Sequence, residues 1–248
     1  MSIEGYSDLT ERQIQILKFV IEEYIETAEP VGSKIIESKY QLGVSPATIR
    51  NEMVALIKKG YLKQPHTSAG RVPTPRALKY YINNLMKPRN LSVSEEVAVK
   101  EKVWDVRRDF DKLLREATRT LAEATSALAV TTTNDKDLYF SGVGNILEMP
   151  EFSNLTLAHS IFEMLDRVDW WENIFERCIP YATPFYVLLG TDWGEDSLEE
   201  CGYVFSTFKV GDKVKGSIGV VGPLRLNYQY IIPTVEYLSN LISEMSQG

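Results

Sequence analysis

Ser45, Thr48, Arg50 and Asn51 stand close together in the chain, and Lys63, His66, Ser68 and Arg71 follow shortly after them. An arginine can hold a guanine edge through two parallel hydrogen bonds, and an asparagine can do the same with adenine. Lysine, histidine and serine side chains donate to phosphate oxygens, which positions a protein without reading sequence. Turnover needs a different grouping. His66 and His159 are the only histidines, so a histidine-rich metal site is excluded. No acid, base and nucleophile fall together in the pattern. Gly216, Gly219 and Gly222 lack the lysine and serine or threonine ending of a phosphate loop, so close backbone packing is their better reading. The chemistry on offer is recognition of double-stranded DNA, with no cofactor, no metal and no catalysis.

Ser45-Pro46 reads as a helix start, because serine caps an orphan amide and proline fits the first helical position. Ile49, Met53, Leu56 and Ile57 then recur at helical spacing, leaving Ala47, Arg50, Asn51, Val54 and Lys58 mostly on the other face. Gly60 sits at a left-handed stop. Tyr61 to Gln64, the tract His66 to Gly70, and Arg71 to Pro73 read as a short hairpin with a basic tip. Before these come a helix over Ser7–Thr27 with a Thr10/Gln13 capping box, and a short helix capped by Ser33 and ending at Tyr40. Three helices followed by a hairpin is the order of a winged helix-turn-helix. The expected DNA contacts are Ser45, Ala47, Thr48, Arg50, Asn51, Lys58, Lys63, His66, Ser68 and Arg71. A helix from Pro75 to Met86 packs back on this domain, which spans residues 1–88 with a linker at Lys87–Asn90.

Charge supports the division. Residues 39–89 hold ten basic groups and one acid, Glu52, whereas the whole chain is at −7. A local positive island is what phosphate contact with counterion release requires. Residues 90–248 carry 14 basic and 25 acidic groups, so that half should not touch DNA. Cys178 and Cys201 have no CxxC spacing, and there is no apolar leader or membrane-length apolar run. These features point to a cytoplasmic protein with reduced thiols.

Residues 89–248 read as α+β. Ser94 to Val130 is expected to be one long helix, with a seam of Phe110, Leu113, Ala117, Leu121, Ala124 and Leu128 that fits either a partner helix or an intradomain core. Leu138–Val143 and Phe185–Gly190 read as strands, and Tyr203–Val210 with Val214–Val221 as a hairpin. Leu155–Cys178 and Tyr228–Met245 read as helices, and Asn145–Ser153 as irregular.

The runs LTERQIQILKFVIEEYIETAEPVGSK, GVSPATIRNEM and QPHTSAGRVPT, followed by GVGNILEMPEF and GSIGVVGPLRLNY, resemble the HrcA-type heat-inducible transcription repressors of bacteria. The resemblance implies repression of chaperone operons, binding as a homodimer to an inverted-repeat operator, a C-terminal GAF-like domain, and the chaperonin GroEL as a modulator of activity. Typical members are longer by roughly a domain's worth of chain. Their inserted dimerising domain has no counterpart before Gly142, so the second half is a reduced GAF-like sheet. The homodimer is then expected to form outside residues 1–86, through the seam or the aromatic-rich region of Trp170, Trp171 and Trp193. Two other readings stand beside this one: a small-molecule-sensing winged-helix regulator, and an enzyme tethered to a DNA-binding module.

Overall fold

A computed structural model describes residues 8–178, 183–211 and 213–246. The chain divides into two compact units, Met1–Met86 and Lys87–Gly248.

The first unit opens with α1 (Glu11–Thr27). Thr10 accepts from the Gln13 amide and Gln13 Oε1 accepts from the Thr10 amide, each at 3.3 Å, which closes the capping box. Ile16, Leu17, Val20 and Ile21 are fully buried along one face. Next come α2 (Ser33–Tyr40) and α3 (Pro46–Lys58). Ser33 is not the cap of α2. Gly32 holds that position without a side-chain bond, and Ser33 is already helical. The strands β1 (Leu62–Lys63) and β2 (Val72–Pro73) pair antiparallel, with Leu62 opposite Pro73 and Lys63 opposite Val72. A further bridge ties Val31, between α1 and α2, to Arg71. Helix α4 (Pro75–Tyr80) is capped by Thr74 and runs on into a π-helical turn, Tyr81–Leu85. Leu78, Tyr81 and Ile82 are buried and Leu85 is half-buried.

The second unit has α5 (Val93–Trp104) and α6 (Phe110–Thr125), and then β3 (Leu128–Thr133) and β4 (Leu138–Ser141). The expected single long helix is therefore two helices and a strand. Asp109 accepts from the Lys112 amide at 3.2 Å and starts α6 afresh. Ser126 takes a left-handed conformation, φ 49°, and stops it. Three short helices follow: α7 (Val143–Glu148), α8 (Leu155–Leu165) and α9 (Val168–Cys178). Thus 145–153 is largely helical, with a 3₁₀ turn at Pro150–Ser153, and the expected helix over 155–178 is broken at Asp166-Arg167. The strands β5 (Tyr186–Leu189), β6 (Cys201–Val210) and β7 (Lys213–Pro223) precede α10 (Tyr228–Met245), which carries Pro233 within it.

Five strands form one sheet in the order β4-β3-β7-β6-β5, antiparallel throughout. Helices cover both faces, so the fold is α+β. On one face Leu128, Val130, Tyr203, Phe205 and Val221 pack with Ile161, Trp171 and Ile174. The alternate residues look the other way. Thr131 meets Thr118 of α6 at 2.7 Å, and Ser206 meets Ser239 of α10 at 2.9 Å. Gly219 is required by this packing, because a Cβ there would lie 2.4 Å from that of Phe205, whose ring stacks on Tyr203.

Much of both surfaces expected to dimerise is used internally, although Phe110, Ala124 and Trp170 are only half-buried. Leu113, Ala117, Leu121 and Leu128 are fully buried, and Trp171 and Trp193 are each 1% exposed. The seam pattern was that of an intradomain core. No helix among the described residues is long and apolar enough to cross a membrane.

Candidate nucleic-acid interface

The buried side of α3 is Ile49, Met53 and Leu56, with Ile57 half-buried. Each fully buried aliphatic side chain contributes about 1.5–3 kcal/mol, so the helix is held by this face and its opposite face is left free for recognition. Ala47, Arg50, Asn51, Val54 and Lys58 lie on that opposite face and are exposed. Ser45 caps the helix, accepting from the Thr48 amide at 3.2 Å, and its hydroxyl lies 3.0 Å from that of Thr48. Gly60, φ +77°, ends the helix, and the Tyr61 amide reaches back to the Leu56 carbonyl at 3.0 Å.

Arg50, Asn51 and Lys58 make no side-chain hydrogen bond or ion pair among the described residues. The one acid in the stretch, Glu52, is turned toward α1. It accepts from Gln13 at 3.0 Å and lies 3.7 Å from Arg12. The outward face of α3 consequently carries cations and an amide but no carboxylate.

The positive island is smaller in space than its residue count suggests. Lys39 pairs with Glu23 at 2.7 Å and Glu26 at 2.6 Å, and these bonds raise its pKa. The Lys59 amine bonds the Asp8 carbonyl and Gln13. Arg76 donates to the Lys59 carbonyl at 2.8 Å and lies over the Tyr61 ring at 4.5 Å. These three cations are occupied in holding the unit together.

In the hairpin Lys63, His66 and Ser68 are exposed. Gln64 Nε2 braces the tip by donating to the carbonyls of Thr67 at 2.8 Å and Ala69 at 3.1 Å. Arg71 differs from its neighbours. It is only 8% exposed, and its Nη1 donates to the Ala69 carbonyl at 2.9 Å. Its Nε is buried with no hydrogen-bond partner among the described residues. Burial lowers its pKa, and the charge of Arg50 lowers it further, so the two guanidinium groups feel one another across the gap between helix and hairpin. The charge of Arg71 is legible in the sequence and its burial is not. The bracing role of Gln64 at the tip is signalled in the sequence only by a polar side chain beside a turn.

The sequence profile described as the HrcA protein C terminal domain matches residues 73–232. The chain belongs to the HrcA family. Among its relatives, the heat-inducible transcription repressor HrcA of Desulforamulus reducens is 28% identical over 337 aligned positions, covering 95% of this chain and 96% of its own. The repressor of the same name from Syntrophobacter fumaroxidans is 26% identical over 340, covering 96% and 98%. Both alignments run over more positions than this chain has residues, so these HrcA relatives carry segments without a counterpart here. A solved structure of a hypothetical protein superposes with a TM-score of 0.77 at 19% identity, covering 96% of this chain and 98% of its own, and shares the fold. The HrcA relatives are named as transcription repressors, not as enzymes.

Proposed function

We propose that this HrcA-family chain is a cytoplasmic, heat-inducible repressor of chaperone operons, and that its first unit is a winged helix-turn-helix. Residues 1–88 act as the DNA-binding domain and 89–248 as a GAF-like regulatory and dimerising domain. Helix α3 enters the major groove. Arg50 and Asn51 read base edges, and Ser45, Ala47 and Thr48 come close at the N-terminal end of the helix. Lys58, Lys63, His66 and Ser68 contact the phosphate backbone beside it. Arg71 acts through the hairpin it braces.

The observation that carries this reading is the outward face of α3, which is free of carboxylates beside a hairpin tied to the α1–α2 connection. A single helix of this size makes few base contacts, so two copies on an inverted repeat supply the specificity that one lacks. The exposed apolar side chains left to the second unit for pairing include Val93, Val97, Phe140, Leu147 and Leu155. Heat releases the operator when the dimer loses a modest margin of stability, and the chaperonin GroEL restores the binding-competent form.

Selection of random duplexes by the full chain tests the proposal. An inverted repeat with half-sites one or more helical turns apart is expected to be enriched. Its gel shift should disappear on heating and return faster with the chaperonin. Failure to enrich any sequence above non-specific binding would overturn the DNA-reading role.

A further inference from the structure

A cleft of about 690 Å³ opens in the second unit between the end of α5, the α5–α6 connection, the β6–β7 hairpin and the end of α10. Its lining has an unusual charge. Among the described residues, Lys100, Arg107, Arg108 and Lys215 face it with one acid, Glu244, although residues 90–248 together carry 25 acids against 14 bases. Between these cations lie Trp104, Phe110, Leu241 and Met245. Trp104 is 45% exposed. The Arg107 guanidinium sits 4.0 Å from its ring centroid and the Lys100 amine 5.6 Å from it.

The parts are held in place. Arg107 Nη1 donates to the Trp104 carbonyl at 2.6 Å, and Lys215 is paired with Asp135. Phe110 is set edge-on to Phe208 at 6.3 Å. Lys100 and Arg108 have no ion pair among the described residues. Converging like charges repel, and an exposed indole leaves apolar surface in water. One kind of ligand relieves both conditions. A bare inorganic anion would leave the apolar floor wet, and a neutral hydrocarbon would leave the cations unmatched.

The geometry points to a binding site for an amphiphilic organic anion, one carboxylate, sulfonate or phosphate group joined to an aromatic or apolar body. The body lies on Trp104, Phe110 and the α10 side chains Leu241 and Met245. The anionic group meets Arg107, Arg108 and Lys100. A cleft of this size falls within the roughly 300–1,000 Å³ typical of small-molecule sites. The site is separate from the DNA-binding reading and does not depend on it.

The test uses the folded full chain with two fluorescent probes of similar shape, the anion 1-anilinonaphthalene-8-sulfonate and the neutral N-phenyl-1-naphthylamine. The anion should bind saturably at one site, about tenfold or more tighter than the neutral probe. Arg108→Gln and Lys100→Gln, both at the solvent edge of the cleft, should each weaken the anion several-fold, and together by at least about tenfold. Arg167→Gln, in a separate cleft of this unit beside Trp170, should leave it unchanged. Amide exchange needs no variant, and the bound anion should slow it over residues 104–110 and 241–246. Equal affinity for both probes, unaltered binding in the Lys100/Arg108 double variant, or protection confined to residues 166–177 would each overturn the site.

Discussion

Val31 and Arg71 exchange both of their backbone hydrogen bonds, at 2.9 and 2.8 Å, so the strand that ends the hairpin is tied to the connection between α1 and α2. The neighbour Gly70 makes that approach possible. A Cβ there would lie 2.3 Å from the Pro30 carbonyl oxygen and 2.6 Å from the Val31 carbonyl carbon. These are backbone atoms and cannot swing aside. Gly70→Ala should therefore destabilise the first unit by about 1–3 kcal/mol, the usual range for overpacking. It should also loosen the hairpin against α3. Chemical denaturation and amide exchange at Val31 and Arg71 would check this, and unchanged exchange at both would contradict it.

Arg50 and Arg71 should separate cleanly in binding experiments. Arg50 is exposed and has no ion pair among the described residues, whereas Arg71 is buried against the carbonyls of Ala69 and Gly70. Arg50→Ala should weaken operator binding with a cost that depends on the base it meets, about 1–3 kcal/mol of discrimination. Arg71→Gln should speed amide exchange at the hairpin tip and leave the salt dependence of binding nearly unchanged. A salt slope that falls by about one unit in Arg71→Gln would mean that this guanidinium touches a phosphate directly.

The elements with punctuation in the chain were legible. Ser45-Pro46 and Gly60 bound α3 in the sequence, and they bound it in space. The β6–β7 hairpin and α10 were legible from strand runs flanking Gly211 and from an uninterrupted apolar period. The stretch from α5 to β3 was not. The spacing from Ala124 to Leu128 continues a helical period although the helix stops at Ser126, and β3 is buried on both faces, so it has no polar alternation to announce a strand. The bridge at Val31 was illegible for a different reason. It is a single pair with Arg71, forty residues on, made possible by the close approach of Gly70 to the backbone, and no local pattern encodes it. At the interface the exposed residues of α3 followed from periodicity. The occupation of Lys39, Lys59 and Arg76 by partners elsewhere in the unit depends on packing that charge counting ignores.

The cysteines provide an internal thermometer. Cys201 is fully buried and burial pushes its thiol up to about 12; burial raises the Cys178 thiol as well. Neither should react with iodoacetamide in the native chain near neutral pH, and both should react once the second unit opens. Labelling against temperature would then report whether loss of operator binding coincides with opening of this unit. The same shift fixes a pH dependence. The native thiol keeps its proton where an unfolded thiol, with a pKa of about 8.5, has lost it. This contribution is intact below about 8.5 and is lost progressively as pH rises from there towards the folded value. Stability that rose over that range would contradict the burial of Cys201.

Leu121 decides between the two uses of the α6 seam. It is fully buried, along with Leu113 and Ala117 on the same helix. If the seam were a contact between two copies, Leu121→Ala would shift the monomer–dimer balance and leave an intact monomer. As core, the same change removes apolar contacts and leaves a cavity inside the second unit. The expected cost is about 2–5 kcal/mol of that unit's stability, independent of protein concentration. Sedimentation and thermal melts at two concentrations tenfold apart would distinguish the cases. A melt that moves with concentration in the parent chain, and loses that dependence in Leu121→Ala while the second unit stays folded, would return the seam to the interface. A lowered melt at both concentrations, with the parent's association unchanged in the folded fraction, is the outcome that the buried seam requires.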